Sequence, residues 1–249
     1  MGNMLLKGGI DINMSRLIEE RSLRDKVHVF RDRKEAGVFL AKTLSDYRGV
    51  DGIVLGIPSG GVPVAAEVAE ALGLTLDLVI VRKVQIPHNP EAGFGAVGPD
   101  GEVSLNADLV SRLGLTGKEV ERQIQKTKEI IKSRNELFRG GLPFPSLRSK
   151  VVIMVDDGLA SGFTMLSAVD FIKSHRPEKV VVAVPTAPNR TVDLILPHVD
   201  ELVCPNVRSG LVFAVADAYE NWYDLEDEEV LSILRSLRRG RNDDTKKER

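Results

Sequence analysis

Two adjacent acids followed by small and hydroxyl residues, Asp156-Asp157-Gly158-Leu159-Ala160-Ser161-Gly162-Phe163-Thr164, form the segment of this chain best suited to chemistry. They follow the apolar run from Val151 to Val155, which reads as a buried strand, and a helix is expected from about Thr164 to His175. In an open parallel sheet, ligands bind beyond the carboxyl ends of the strands. Small residues there let backbone N–H groups turn toward an anion at a helix start, where the dipole and the unpaired donors favour negative charge. Ser161 and Thr164 add hydroxyl donors. A phosphate sharing one pocket with Asp156 and Asp157 would be repelled. The acids make sense if they face another part of the ligand and accept hydrogen bonds from vicinal sugar hydroxyls. Phosphate beside diol describes a ribose 5-phosphate. An Asp-Asp-Gly on its own can merely polarise a strand–helix turn. Apolar run, double acid, small-residue loop, hydroxyl and helix together favour a binding site.

The elements that must position this segment alternate between strand and helix. Asp32 with Glu35 resembles a capping box, and Ala36, Phe39, Leu40, Thr43, Leu44 and Tyr47 recur at helical spacing behind it. Gly52 to Ile57 reads as a strand, Pro58-Ser59-Gly60-Gly61 as a turn, and about Pro63 to Leu72 as a helix of small residues. Leu76 to Val81 reads as a further buried strand. From Lys83 to about Gly101, rich in Gly and Pro, no regular element is expected. Val120, Ile124, Thr127, Ile131 and Phe138 mark the apolar stripe of a charged helix. Lys179 to Val184 is the next strand, Asn189 can cap a helix, and Glu201 to Cys204 is a last short strand. Apolar runs alternating with helices imply a doubly wound α/β fold, its mostly parallel sheet covered by helices on both faces. An N-terminal extension (1–30), a core (31–205), a small cap segment with a helix opened by Asp227 (206–237) and a disordered charged tail (238–249) complete the expected organisation.

Composition narrows the function classes. In 249 residues Lys plus Arg (34) nearly balances Asp plus Glu (36), so no global field attracts nucleic acid and no nucleic-acid partner is expected. The tail, with Arg238, Arg239, Arg241, Lys246, Lys247 and Arg249, is the one basic cluster that would serve such a role. The single cysteine, Cys204, reads as core packing and suits a reducing cytoplasm. No window approaches the ~20 apolar residues of a membrane span, so a soluble cytoplasmic protein is expected. The stretch from Gly93 to Gly98 contains a formal G-x-G-x-x-G, but it follows Pro87 and Pro90 rather than a strand, which argues against a dinucleotide site.

The run from Val155 to Thr164 resembles the binding motif for 5-phosphoribosyl-1-pyrophosphate (PRPP) of type I phosphoribosyltransferases. Gly56-Ile57-Pro58-Ser59-Gly60-Gly61-Val62 resembles that family's pyrophosphate loop, and Val81-Arg82-Lys83 the strand end that brings cations to the leaving group. From about Asp32 to Glu229 the chain is similar to a subgroup of bacterial and archaeal phosphoribosyltransferases of unsettled substrate. The resemblance implies PRPP binding by Asp156, Asp157, Gly158, Ala160, Ser161, Gly162, Phe163 and Thr164. It implies pyrophosphate binding by Ser59, Gly60 and Gly61, and catalytic roles for Arg82 and Lys83. Mg²⁺ would be carried by PRPP near Asp156 and Asp157 rather than by a protein cage. A cis peptide is implied at or beside Ser59-Gly60, and homodimers are common in the family. The Gly-rich segment is then read as part of a cover that closes over PRPP; His88 in this loop either reaches the substrate or, as the favoured reading, is simply solvated.

Phosphoribosyl transfer from PRPP to a nitrogenous acceptor, a nucleobase or related heterocycle, is the function so implied. The alternative is a regulator of the same fold that senses PRPP and binds nucleic acid or a protein partner. Hypoxanthine-guanine enzymes carry an acid at the position of Ala160, which weakens a 6-oxopurine assignment here. Phe213, Tyr219, Trp222 and Tyr223 either stack on a base or close a core.

Overall fold

The computed structural model describes residues 15–87 and 89–247, with only the backbone described for Pro90, Glu91 and residues 238–247. His88 and residues 1–14 of the N-terminal extension lie outside the described residues. Six strands form one wholly parallel sheet in the order β1 (Arg16–Ile18), β10 (Glu201–Val203), β8 (Lys179–Ala183), β7 (Val151–Val155), β2 (Gly52–Gly56) and β3 (Thr75–Leu78). The doubly wound α/β expectation holds. Helices α1 (Arg33–Thr43) and α2 (Gly61–Leu72) cover one face, packing Leu40, Val64 and Val68 against Val54, Ile153 and Val181. Helices α5 (Phe163–Ser174) and α6 (Asn189–Ile195) cover the other, packing Val169, Ile172 and Val192 against Leu55, Met154 and Val182. Alternate residues of β7 thus enter opposite cores, which is why the strand reads as an unbroken apolar run.

Asp32 caps α1 by accepting the Glu35 N–H at 2.9 Å, while the Glu35 carboxylate reaches back to the Arg31 amide. The capping pattern is present, shifted one residue on its return bond. Asn189 is the first residue of α6 rather than its cap, and its side-chain oxygen accepts from Arg24. Cys204 is buried, and burial pushes its thiol far above the ordinary range. None of the described helices is long and apolar enough to cross a membrane.

Three regions differ from expectation. The stretch expected to lack regular structure folds as an antiparallel sheet of β4 (Arg82–Ile86), β5 (Asn89–Val97) and β6 (Val103–Leu105). Its glycines serve close approach: a Cβ on Gly95 would lie 2.4 Å from the Ser104 carbonyl oxygen. Register shifts on either side of Gln85 absorb the irregularity, and Val84, Phe94 and Val97 bury themselves against Ile124 and Ile131 of α4 (Gly117–Arg139). Tertiary burial overrides the local Gly and Pro content. The buried strand expected over Leu76 to Val81 ends at Leu78, so Arg82 and Lys83 open the hairpin instead of closing a sheet strand. Finally, the C-terminal helix α7 spans Asp227–Lys247 and takes in most of the expected disordered tail; Arg and Lys are good helix formers and no proline interrupts the run.

Smaller elements went unforeseen: strand β1, the two-stranded parallel sheet of β9 (Thr186–Pro188) with β11 (Asn206–Arg208), and the short helix α3 (Ala107–Arg112). Helix α4 is closed at both ends, by a Thr116–Glu119 capping box and by Gly140 at φ 66°. Phe30, Ala36, Ala218 and Tyr219 form a small core with Trp222 packed on it, so Tyr219 and Trp222 close a core rather than offer a free stacking face.

Candidate active site

Strands β2 and β7 are neighbours, with Gly56 paired to Val155, so the loops that leave them emerge side by side. The first loop contains the cis Pro58–Ser59 peptide, directly beside the expected Ser59-Gly60 bond, and enters α2 at Gly61. A Cβ on Gly61 would lie 2.6 Å from the Val155 carbonyl oxygen and 2.8 Å from the Asp156 Cα; one on Gly60 would lie 2.0 Å from Asp157 Oδ2. Only glycine lets the two loops approach this closely.

The second loop divides its two acids between different surroundings. The Asp156 carboxylate accepts the Asp157 amide at 2.9 Å, and the residue is half-buried at the mouth of the sheet. Asp157 is buried, and its Oδ2 accepts a 2.8 Å hydrogen bond from Arg33 Nε. Arg33 is itself buried, donates from Nη1 to the Tyr223 carbonyl at 2.9 Å, and lies 3.9 Å over the Trp222 ring. Tyr219 donates its hydroxyl to the Asp157 carbonyl at 2.6 Å. Removal from water pushes both carboxyls up. The charge of Asp157 adds to the rise at Asp156, and Arg33 opposes it at Asp157.

From Ala160 the loop becomes a row of unspent donors. Leu159 is buried and its N–H donates to the Thr186 carbonyl at 2.9 Å, while the Thr191 hydroxyl donates to the Ala160 carbonyl at 2.7 Å; these bonds fix the loop from below. Gly162 stands at φ 78°, a left-handed conformation that suits glycine, and turns the chain into α5. Among the described residues, none of the backbone N–H groups from Ala160 through Met165 has an acceptor within the chain; the next, Leu166, donates to Gly162 at 2.8 Å. Ser161, Phe163 and Thr164 are exposed. Gly158 is buried under Val215, whose Cγ1 would stand 2.6 Å from an added Cβ. This arrangement can hold a phosphate by main-chain amides at a helix N-terminus.

Arg82 and Lys83 separate. Arg82 lines a hollow of about 270 Å³ with Pro58, Thr164 and Arg134, beside the cis peptide. Lys83, the next residue along the strand, lines a larger cavity of about 790 Å³ between the hairpin and α5, with Phe94, Phe163 and Leu166. Adjacent strand residues face opposite ways, so the two cations serve different spaces.

Two arginines at the site escaped the sequence reading although each left a trace. Arg33 sits in the first turn of α1, where the helix dipole disfavours a cation, which marks it as held by something else. Arg134 follows Ile131 by three residues and precedes Phe138 by four, placing a charge within the apolar stripe of α4.

The phosphoribosyl transferase domain matches residues 33–219. Two Mycobacterium tuberculosis proteins, provisionally named phosphoribosyl transferases, are each 39% identical over 206 residues, which is 83% of this chain and 46% of theirs. The chain thus spans about half the length of the curated relatives it matches. The crystal structure of TT1426 from Thermus thermophilus superposes with a TM-score of 0.73 at 37% identity, covering 82% of this chain and 97% of that one. This chain belongs to the phosphoribosyl transferase family.

Proposed function

We propose that this protein transfers the 5-phosphoribosyl group of PRPP to a nitrogenous acceptor, a nucleobase or related heterocycle, with release of pyrophosphate. The observation that carries the reading is the run of unspent amides from Ala160 to Met165, set beside the half-buried Asp156 and next to a hollow walled by Arg82 and Thr164. The amides, with Ser161 and Thr164, hold the 5-phosphate. Asp156 accepts from the ribose hydroxyls, and Asp157, fixed by Arg33, sets the position of its neighbour. The acceptor nitrogen attacks C1 as the C1–O bond breaks; pyrophosphate leaves with the electron pair, and the acceptor's N–H proton passes to water. Charge growing on the leaving group meets Arg82 and the loop from Ser59 to Gly61, which bind it more strongly as the bond opens.

Among the described residues no cluster of three acidic, histidine or cysteine side chains forms a metal cage. A Mg²⁺ ion would be held largely by the oxygens of PRPP, with Asp156 as the adjacent carboxylate, and would supply neutralisation of the leaving pyrophosphate. The larger cavity beneath the hairpin, lined by Lys83 and Phe163, is the space we assign to the acceptor side.

The test is incubation with PRPP, Mg²⁺ and a panel of nucleobases while pyrophosphate is assayed. Release that depends on an added base is the expected result. PRPP binding with no release for any base would favour a PRPP-sensing regulator.

A further inference from the structure

The hollow beside the cis peptide joins two arginines that come from unrelated elements. Arg82 opens the hairpin, and Arg134 projects from near the C-terminal end of the long helix α4, yet both line the same space with Pro58 and Thr164. Arg134 Nη2 donates to Ser59 Oγ at 3.2 Å, so the guanidinium reaches the loop itself. Its other neighbours hold it rather than neutralise it fully. Asp227 Oδ1 is 3.6 Å away, beyond hydrogen-bonding distance, and the Phe138 ring centre is 4.9 Å from the guanidinium carbon.

Among the described residues no carboxylate lines the hollow. Two like charges converging on one small space repel unless an anion occupies it, and a guanidinium offers five donors in a fixed fork suited to phosphate oxygens. At ~30 Å³ per water molecule, a hollow of about 270 Å³ admits a multi-atom anion. Its wall includes Thr164, from the loop assigned to the 5-phosphate, and it lies against the loop assigned to the leaving group.

We propose that Arg134 is a pyrophosphate-binding residue, delivered to the Pro58–Gly61 loop by α4 and completing with Arg82 a two-arginine clamp. This rests on the phosphoribosyl-transfer reading above. It also makes α4, which carries the hairpin on its apolar stripe, the element that couples the hairpin to the leaving group.

The experiment titrates wild type, Arg134→Ala, Arg134→Lys and Asp227→Asn by calorimetry with inorganic pyrophosphate in Mg²⁺ buffer, and separately with ribose 5-phosphate. Arg134→Ala is expected to weaken pyrophosphate binding about tenfold to a hundredfold, as for loss of a charge-assisted contact. Ribose 5-phosphate affinity should stay within about twofold, since its contacts are separate. Asp227→Asn, which removes a competing carboxylate, should leave pyrophosphate binding equal or tighter. Should Arg134→Ala unfold, Arg134→Lys decides: it keeps the charge without the fork and should lose affinity for pyrophosphate alone. Unchanged pyrophosphate affinity in the Arg134 variants overturns the assignment, as does a parallel loss of both ligands in the Arg134 and Asp227 variants, the mark of a structural ion pair. Wild type that binds ribose 5-phosphate but not pyrophosphate overturns the Arg134 assignment alone. Wild type that binds neither overturns the transfer reading with it.

Discussion

The loop from Ala160 to Met165 and the cluster around Asp157 are only a few residues apart, yet they treat their polar groups in opposite ways. In the loop, six successive amides and two exposed hydroxyl residues have their donors facing no partner among the described residues. In the cluster, the Asp157 carboxylate is taken by Arg33, the Asp157 carbonyl by the Tyr219 hydroxyl, and a further Arg33 donor by the Tyr223 carbonyl. Buried polar groups must be paired, whereas groups held open at a rigid mouth are prepared for a ligand. The two adjacent acids fall on either side of this divide: Asp157 is buried and anchors the C-terminal segment to the sheet, whereas Asp156 stays partly exposed.

The largest effect expected from this contrast is on stability. Arg33→Ala leaves a buried carboxylate without its partner and should cost about 3–5 kcal/mol in denaturant unfolding; both side chains are nearly inaccessible, at 7% and 12%. A cost below about 1 kcal/mol, the range of surface ion pairs, would erase the distinction between the regions. Gly61→Ala comes next. Its Cβ would press on the Val155 carbonyl, a backbone atom that cannot swing away, so about 1–3 kcal/mol is expected. Ribose 5-phosphate binding should weaken with it, because Asp156 Cα lies at 2.8 Å from the same point.

Asp156→Asn separates the two roles more finely, because function and stability should move in opposite directions. The variant should lose ribose 5-phosphate affinity by about tenfold or more while becoming more stable at neutral pH, since it removes a charge that burial and Asp157 both disfavour. A carboxyl raised in the folded state binds protons more readily there than in the unfolded chain, so its penalty is present above the folded pKa and disappears as pH falls toward the ordinary carboxyl value of about 3.9. The stability advantage of Asp156→Asn should therefore be largest at high pH and shrink on acidification, followed by parallel urea titrations. An advantage that grows on acidification would reverse the assignment. The smallest effect belongs to Ser161→Ala, which removes one exposed hydroxyl among many amide donors. About 0.5–1.5 kcal/mol of ribose 5-phosphate affinity is expected to be lost, with no change in stability.

The same contrast marks how far the sequence was legible. Val151–Val155, with its acids and its small-residue loop, was readable because a buried parallel strand is apolar throughout and a phosphate site needs small residues at a helix start. The Gly- and Pro-rich stretch around Gly93 and Gly95 was not, because those glycines answer to strands pressed from another part of the chain, and local composition carries no record of that contact. Arg82 and Lys83 were readable as cations near the loops, but their division between two cavities follows from the strand that begins at Arg82. Arg33 lies 124 positions before Asp157, and Arg134 lies 75 after Ser59. Pairings over such separations are products of the fold, visible in the sequence only as charges in unfavourable helical positions.

Whether main-chain amides at the start of α5 hold the phosphate of a ribose 5-phosphate can be read residue by residue from amide NMR of the ¹⁵N-labelled protein during titration with that sugar phosphate. The largest shifts should fall on Ala160 through Met165, with Asp156 following and the Arg33 cluster nearly still. Saturating shifts centred elsewhere, with the Ala160–Met165 amides unmoved, would refute the phosphate site.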